Sequence, residues 1–187
     1  MWSNTNVILA SSSPRRHELL KQIVDDFLCI SPNVEETYDQ SWKAEEIAEH
    51  LAKIKCKSVA ENNSDSLVIG CDTVVHIDGE ILGKPKDKSD AKRMLGMLSG
   101  NIHQVITGVC VAYRGQLYCI HDKTEVEFFS LSDKIIDEYI ATGEPYDKAG
   151  AYGIQGYGKK LIKKYIGDYY NVMGLPLADT KKLLDNI

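Results

Sequence analysis

The chain has 187 residues, 43% of them hydrophobic and 26% charged, with a formal net charge of −5. That suits one domain of generous size or two small lobes sharing a core, and it excludes a disordered chain. The negative balance sets the surface as a whole against nucleic acid and acidic membranes, so any anion site has to be a local basic pocket.

Met1 to Asn6 carry neither a basic start nor a long apolar run, so no secretory leader is expected. Val7-Ile8-Leu9-Ala10 reads as a first strand ending in three serines. Ser13 before Pro14 pairs an N-cap with a first-turn proline, and a helix is expected through Leu19, Leu20 and Ile23. Phe27 to Ile30 reads as a second strand and Asn33 to Gln40 as an acidic loop. Ser41 is placed to cap a long helix to about Asn62, with Ile47, Ala48, Leu51, Ala52 and Val59 at helical spacing. Leu67 to His76 is nearly all apolar, the pattern of a central strand covered on both faces. Asp78-Gly79 is a hairpin turn leading into Glu80-Ile81-Leu82, and Ser89 is placed to cap a helix that Ser99-Gly100 closes. Ile102 to Tyr113, the turn Arg114-Gly115 and Gln116 to Phe129 form a long hairpin. Ser132 to Thr142 is a helix with Gly143 after its end, followed by a glycine-rich loop from Glu144 to Gly158. A strand from Leu161 to Ile166 and a closing helix from Pro176 finish the chain. Crossover helices mixed with hairpins imply a mixed sheet in an α/β or α+β architecture, without a repeat or an interdomain linker.

Five cysteines, Cys29, Cys56, Cys71, Cys110 and Cys119, contain no C-x-x-C pair and several lie in apolar runs. They are expected to be free, buried thiols in a reducing cytosol, which places the protein in the cytoplasm. No apolar stretch approaches the roughly 18 residues that span a bilayer. The histidines show no metal-ligand spacing, and the scattered aromatic residues form no stacking platform for nucleic acid.

Several features carry chemistry. Ser11 to Arg16 is a strand–loop–helix start: small hydroxyl residues let a phosphate approach, and two arginines supply bidentate cationic donors, although an ordinary cap with solvated arginines has the same shape. Lys55 lies beside Leu51 and Val59 on the apolar face of its helix, where it either snorkels to the surface or meets a buried anion. Asp72 interrupts a central strand, so its carboxylate has to be ion-paired, metal-bound or protonated. Strict alternation sends Asp72 and Thr73 to opposite faces; if both meet one ligand, the strand ends or bulges there. Gly83-Lys84-Pro85 fails as a Walker A loop, since three residues rather than four separate Gly79 from Gly83 and proline stands where Ser or Thr belongs. Lys84 is then either a phosphate contact from a turn or a plain surface lysine. Glu35-Glu36 is either a hard-oxygen pair for Mg²⁺ or Mn²⁺ or a solvated acidic loop. In the glycine-rich loop, Gln155 has an amide suited to reading a base edge.

Taken in order, these segments resemble the Maf family of nucleotide pyrophosphatases. The matching runs are Ser11-Ser12-Ser13-Pro14-Arg15-Arg16-His17-Glu18-Leu19-Leu20, Leu51-Ala52-Lys53-Ile54-Lys55, Gly70-Cys71-Asp72-Thr73-Val74-Val75 and Leu82-Gly83-Lys84-Pro85. Leu98 to His103, Gly143 to Gly156 and Asn171 to Leu177 complete the set, which covers nearly the whole chain. The resemblance implies a single domain over residues 1–187, an elongated central mixed sheet flanked by helices, with two lobes around a substrate cleft, often as a homodimer. It implies cleavage of a nucleoside triphosphate between the α- and β-phosphates, with a divalent cation, Mg²⁺ or Mn²⁺, as cofactor. Asp72 matches the proton acceptor. Arg15, Thr73 and Gln155 match the positions that decide base choice, and they are Arg, Thr and Gln in the branch acting on dTTP and UTP; the sibling branch preferring 7-methyl-GTP departs there. Ser11, Ser13, Arg16, Glu35, Lys55 and Lys84 match the phosphate and metal pocket, with Glu35 and Asp72 toward the metal. Cys71 stands where alanine or serine is common, which suggests a site sensitive to oxidation. Two other classes fit the resemblance: a nucleotide-binding regulator of cell division with little turnover, and a pyrophosphatase for damaged purine triphosphates on the related inosine triphosphatase fold.

Overall fold

The computed structural model describes residues 5–187; Met1 to Asn4, part of the stretch read for a leader, lie outside the described residues. β1 (Val7–Ala10) is buried throughout and pairs in parallel with β2 (Leu28–Cys29) and β3 (Leu67–Ile77). β3 in turn pairs antiparallel with β4 (Glu80–Leu82). With β5 (Ile102–Tyr113), β6 (Gln116–Phe128) and β7 (Ile162–Ile166) these make a seven-stranded mixed sheet of order β2-β1-β3-β5-β6-β7, with β4 beside β3. The near-continuous apolar run of β3 is the pattern of a strand with both faces covered. β2 is shorter than the Phe27 to Ile30 stretch expected, because it is an edge strand with Leu28 63% exposed.

Three helix starts and stops differ from expectation, each for a local reason. α1 (Pro14–Leu20) stops short of Ile23, since Gln22 and Ile23 donate to the carbonyls three residues back and tighten the last turn. α2 (Ala44–Ala60) starts after Lys43, not at Ser41: the Ser41 amide and hydroxyl are both spent on Asp39 Oδ1, at 2.8 and 2.7 Å. Glu46 reaches back instead to the Lys43 N–H at 2.8 Å. α3 (Lys88–Leu98) is capped by Asp87, whose carboxylate takes the Asp90 N–H at 2.8 Å, so Ser89 lies inside the helix. α4 (Asp133–Ala141) has the expected Ser132 cap and Gly143 in the left-handed conformation. The glycine-rich segment forms 3-10 turns at Glu144–Asp147, Ala149–Ala151 and Gly156–Leu161. The short α5 (Tyr169–Met173), which has too few residues to show a period, precedes α6 (Leu177–Asp185).

The chain divides into two compact units. One holds the described residues through Asp72 together with Thr107–Asp122 and Gly174–Ile187; the other holds Thr73–Ile106 and Lys123–Met173. In the first, Ala52, Cys56 and Val59 of α2 pack on Ile8, Ala10, Val68 and Cys110. α2 approaches the strands at two glycines: a Cβ on Gly70 would stand 2.5 Å from the Ala52 carbonyl oxygen, and one on Gly108 would stand 2.3 Å from that of Ala48. In the second unit, Met94, Leu95 and Leu98 of α3 and Ile136, Tyr139 and Ile140 of α4 pack with Val75, Val105, Val126 and Phe128.

One cysteine expectation is overturned. Cys110 and Cys119 form a disulfide, while Cys29, Cys56 and Cys71 are free. Arg114 and Gly115 both have positive φ, 49° and 76°, the type I′ turn of a two-residue hairpin, and that turn sets Cys110 opposite Cys119 across β5 and β6. Their Cα atoms are 4.1 Å apart. Spacing alone does not disclose a pair nine residues apart; the register of the hairpin does.

Candidate active site

In the first unit, helix packing and the central strand bring a lysine to a carboxylate. Helical spacing turns Lys55 toward the sheet, and its ammonium meets Asp72 Oδ1 of β3. Both side chains are nearly buried, 12% and 10% exposed. Lys55 therefore neither snorkels away nor stands alone; it meets the buried anion that Asp72 provides. Burial pushes the Asp72 carboxyl above its ordinary range, and the Lys55 and Arg16 charges oppose that shift only in part. A carboxylate so raised is a better proton acceptor near neutral pH than an exposed one.

A second carboxylate joins them. Glu36 Oε1 lies 2.9 Å from Lys55 Nζ, although the Glu36 side chain, like that of Glu35, is exposed. The acidic loop is held in place by the Thr37 carbonyl, 3.1 Å from His50 Nε2 of α2, and by Trp42 packed edge-on to the His50 ring at 4.9 Å. Of the two adjacent glutamates, the structure therefore brings Glu36, not Glu35, to Lys55 and Asp72. The pair Glu35-Glu36 in sequence signalled the loop but not which member reaches Lys55, because that depends on how the loop docks on α2.

The start of α1 is built as its sequence indicates. The Ser13 hydroxyl accepts the Arg16 N–H at 3.4 Å and the Ser11 hydroxyl accepts the Ser13 N–H at 3.1 Å. Ser11 is buried and Arg15 and Arg16 are half-buried. Arg16 Nε donates to the Gly174 carbonyl at 2.8 Å, which ties the arginine to the segment before α6. That tie was invisible in sequence, since 158 residues separate the partners.

β3 runs unbroken from Leu67 to Ile77. The strand therefore does not end at Asp72 and Thr73. Thr73, Lys84 and Gln155 belong to the second unit. Lys84 is exposed in the turn after β4, and the carbonyl of the preceding Gly83 accepts the Gly150 N–H at 3.0 Å. Gln155 is exposed with extended backbone, immediately before Gly156 at φ 64°.

Cys71 differs from the oxidation-sensitive residue expected. It is fully buried, and burial pushes its thiol up to about 11, with the Arg16 charge opposing. Such a thiol stays protonated and inert.

Among the described residues, no group of three or more histidine, cysteine, aspartate or glutamate side chains stands ready to hold a metal. No helix of the described residues is long and apolar enough to cross a membrane.

A parallel strand–helix start with two arginines, beside a buried lysine–carboxylate group, defines an α/β protein of the architecture seen in Ham1 proteins. The Ham1 protein of Staphylococcus aureus superposes with a TM-score of 0.59 at 15% identity, covering 97% of this chain and 99% of that one. The Ham1 protein of Coxiella burnetii gives 0.53 at 14% identity, covering 98% of this chain and all of its own. At such identities the likeness is one of fold. The Maf-like protein family model matches residues 6–187, and the chain belongs to the Maf family. Its relatives include the dTTP/UTP pyrophosphatase of Halalkalibacterium halodurans, 46% identical over 178 residues, 95% of this chain and 94% of the relative. The dTTP/UTP pyrophosphatase of Symbiobacterium thermophilum is 48% identical over 178 residues, 95% of this chain and 92% of its own.

Proposed function

We propose that this protein hydrolyses dTTP and UTP to the nucleoside monophosphate and pyrophosphate. Family membership over residues 6–187, and identity near one-half to relatives that carry that activity in their names, support the substrate class. They also support reading the chain as a single Maf-like domain. The observation that carries the chemistry is the buried Asp72 held by Lys55.

Asp72 takes a proton from water as the water oxygen attacks the α-phosphorus, and the bond to the bridging oxygen breaks to release pyrophosphate. Lys55, Arg15, Arg16 and Lys84 neutralise the triphosphate oxygens, and the Ser11 and Ser13 hydroxyls donate to them. Charge neutralisation and positioning supply most of the rate in such reactions. Two carboxylates converging on one cation, Lys55 Nζ, are hard oxygen donors too few for a resident metal. They suit Mg²⁺ or Mn²⁺ arriving with the phosphates, which is how Mg²⁺ commonly binds. Asp72 and Glu36, rather than Glu35, would hold it, and the cation would offset charge on the phosphate oxygens. Arg15, Thr73 and Gln155 read the base.

The test is a panel of nucleoside triphosphates with Mg²⁺ or Mn²⁺, scored for pyrophosphate rather than phosphate. The expected result is pyrophosphate from dTTP and UTP. Binding without product would support the nucleotide-binding regulator instead, and inosine triphosphate as best substrate would support the purine pyrophosphatase.

A further inference from the structure

Residues 144–158 form a loop closed at its mouth by one side chain. Glu144 opens it directly after Gly143 ends α4. The Glu144 carboxylate accepts the Tyr157 N–H on Oε1 at 3.0 Å and the Gly158 N–H on Oε2 at 3.2 Å. Both oxygens are thus spent on backbone donors at the start of the Gly156–Leu161 turn, where amides have no helical acceptor. Such charge-assisted bonds are roughly twice as strong as neutral ones. Gly156, at φ 64°, lies against the same carboxylate: a Cβ there would stand 2.5 Å from Oε1. Lys148 Nζ donates to the Glu144 carbonyl at 2.7 Å, and its stem covers Gly153.

The interior of the loop is fixed as well. Gly150 donates to the Gly83 carbonyl at 3.0 Å and packs on Val75, and the buried Tyr152 hydroxyl lies 2.6 Å from His103 Nε2. Gln155 is the exposed residue between this anchored interior and the Glu144 clamp. An exposed amide on a glycine-rich loop would sample many positions; here the chain two and three residues beyond it is hydrogen-bonded to one carboxylate.

We propose that Glu144 is a positioning residue for base selection, fixing the main chain that presents Gln155. The inference rests on the reading that Gln155 meets the base. Selectivity requires the amide to be held in place, because a hydrogen-bonding group rejects a wrong partner only if it cannot move to accommodate it.

The experiment measures kcat/KM for dTTP, dCTP and ATP in the wild type, Glu144→Ala, Gln155→Ala and the double variant, with thermal melting of each. Glu144→Ala should lower the preference for dTTP by roughly ten- to a hundredfold, the scale of a small misplacement. In the Gln155→Ala background the same change should leave the preference where Gln155→Ala put it. Gly156→Ala, whose new methyl displaces the carboxylate, and Glu144→Gln, which preserves the side-chain volume, carry the same expectation should Glu144→Ala fold poorly. Equal loss with all three nucleotides, or multiplicative effects in the double variant, would overturn the proposal. If Gln155→Ala leaves the preference unchanged, base reading by Gln155 fails and the proposal falls with it. If Gln155→Ala shifts the preference and no Glu144 or Gly156 variant does, only the role of Glu144 fails.

Discussion

Asp72 is buried in a central strand against an ion-pair partner: burial pushes its carboxyl up, and the Lys55 and Arg16 charges oppose that only in part. Removing the charge while keeping the shape isolates its role. Asp72→Asn should lose about 10²- to 10⁴-fold in kcat for dTTP, the usual contribution of a positioned base, while still binding the nucleotide in equilibrium titration. Near-normal turnover would sink the assignment. The neighbouring cysteine gives a second residue-level expectation. In the native protein a thiol reagent should label the exposed Cys29 readily and leave Cys56 and Cys71 unmodified until the chain is unfolded. Burial pushes those two thiols up to about 12 and about 11, and the thiolate is the reactive form. Rapid labelling of Cys71 in the folded protein would contradict the buried placement.

At the scale of elements, α2 matters most, since it delivers Lys55 to Asp72. Its depth is set by the two glycines beneath it. Gly108→Ala would force a methyl against the Ala48 carbonyl, so overpacking of about 1–3 kcal/mol is expected, read as a lower denaturant midpoint. Displacing α2 also moves Lys55, so turnover should fall with stability. Gly96 provides the contrast. It lies exposed in α3, and a Cβ there would meet nothing within 4 Å. Gly96→Ala should therefore stabilise the protein by about 0.5–1 kcal/mol through helix propensity alone. A destabilised Gly96→Ala, or an unaffected Gly108→Ala, would show that the helix–sheet approach is not what limits these positions.

For the molecule as a whole, the acid limb of stability has an identifiable contributor. His103 is buried among Phe128 and Tyr152, and burial pushes its pKa down from 6.5 to about 4. Between those values the unfolded chain takes a proton that the folded chain refuses, so stability is complete above pH 6.5 and is lost as the pH falls toward 4. The shift corresponds to roughly 3 kcal/mol over that window. His103→Gln should weaken the fold at neutral pH yet flatten the pH dependence of the melting temperature between pH 6.5 and 4. An unchanged slope would locate the acid sensitivity elsewhere.

Much of this protein was legible in its residues because the signals are local. Strand periodicity, the Ser13-Pro14 start, the Asp78-Gly79 and Arg114-Gly115 turns and the Ser132 and Gly143 caps depend on a few neighbours, and they appear where spacing and turn chemistry put them. The helical face of Lys55 and the misfit of Asp72 in an apolar strand are also local facts, and the Maf resemblance joined them across the whole chain. Where several side chains compete for one backbone amide, local rules left the choice open, and geometry selected Lys43 over Ser41 and Asp87 over Ser89 as helix starts. Only the tertiary structure decided which glutamate reaches Lys55, that Gly174 holds Arg16, that Cys110 meets Cys119 and that Glu144 closes the loop beside Gln155. Each of those contacts joins residues that docking or hairpin register brings together, and sequence spacing carries no record of such distances.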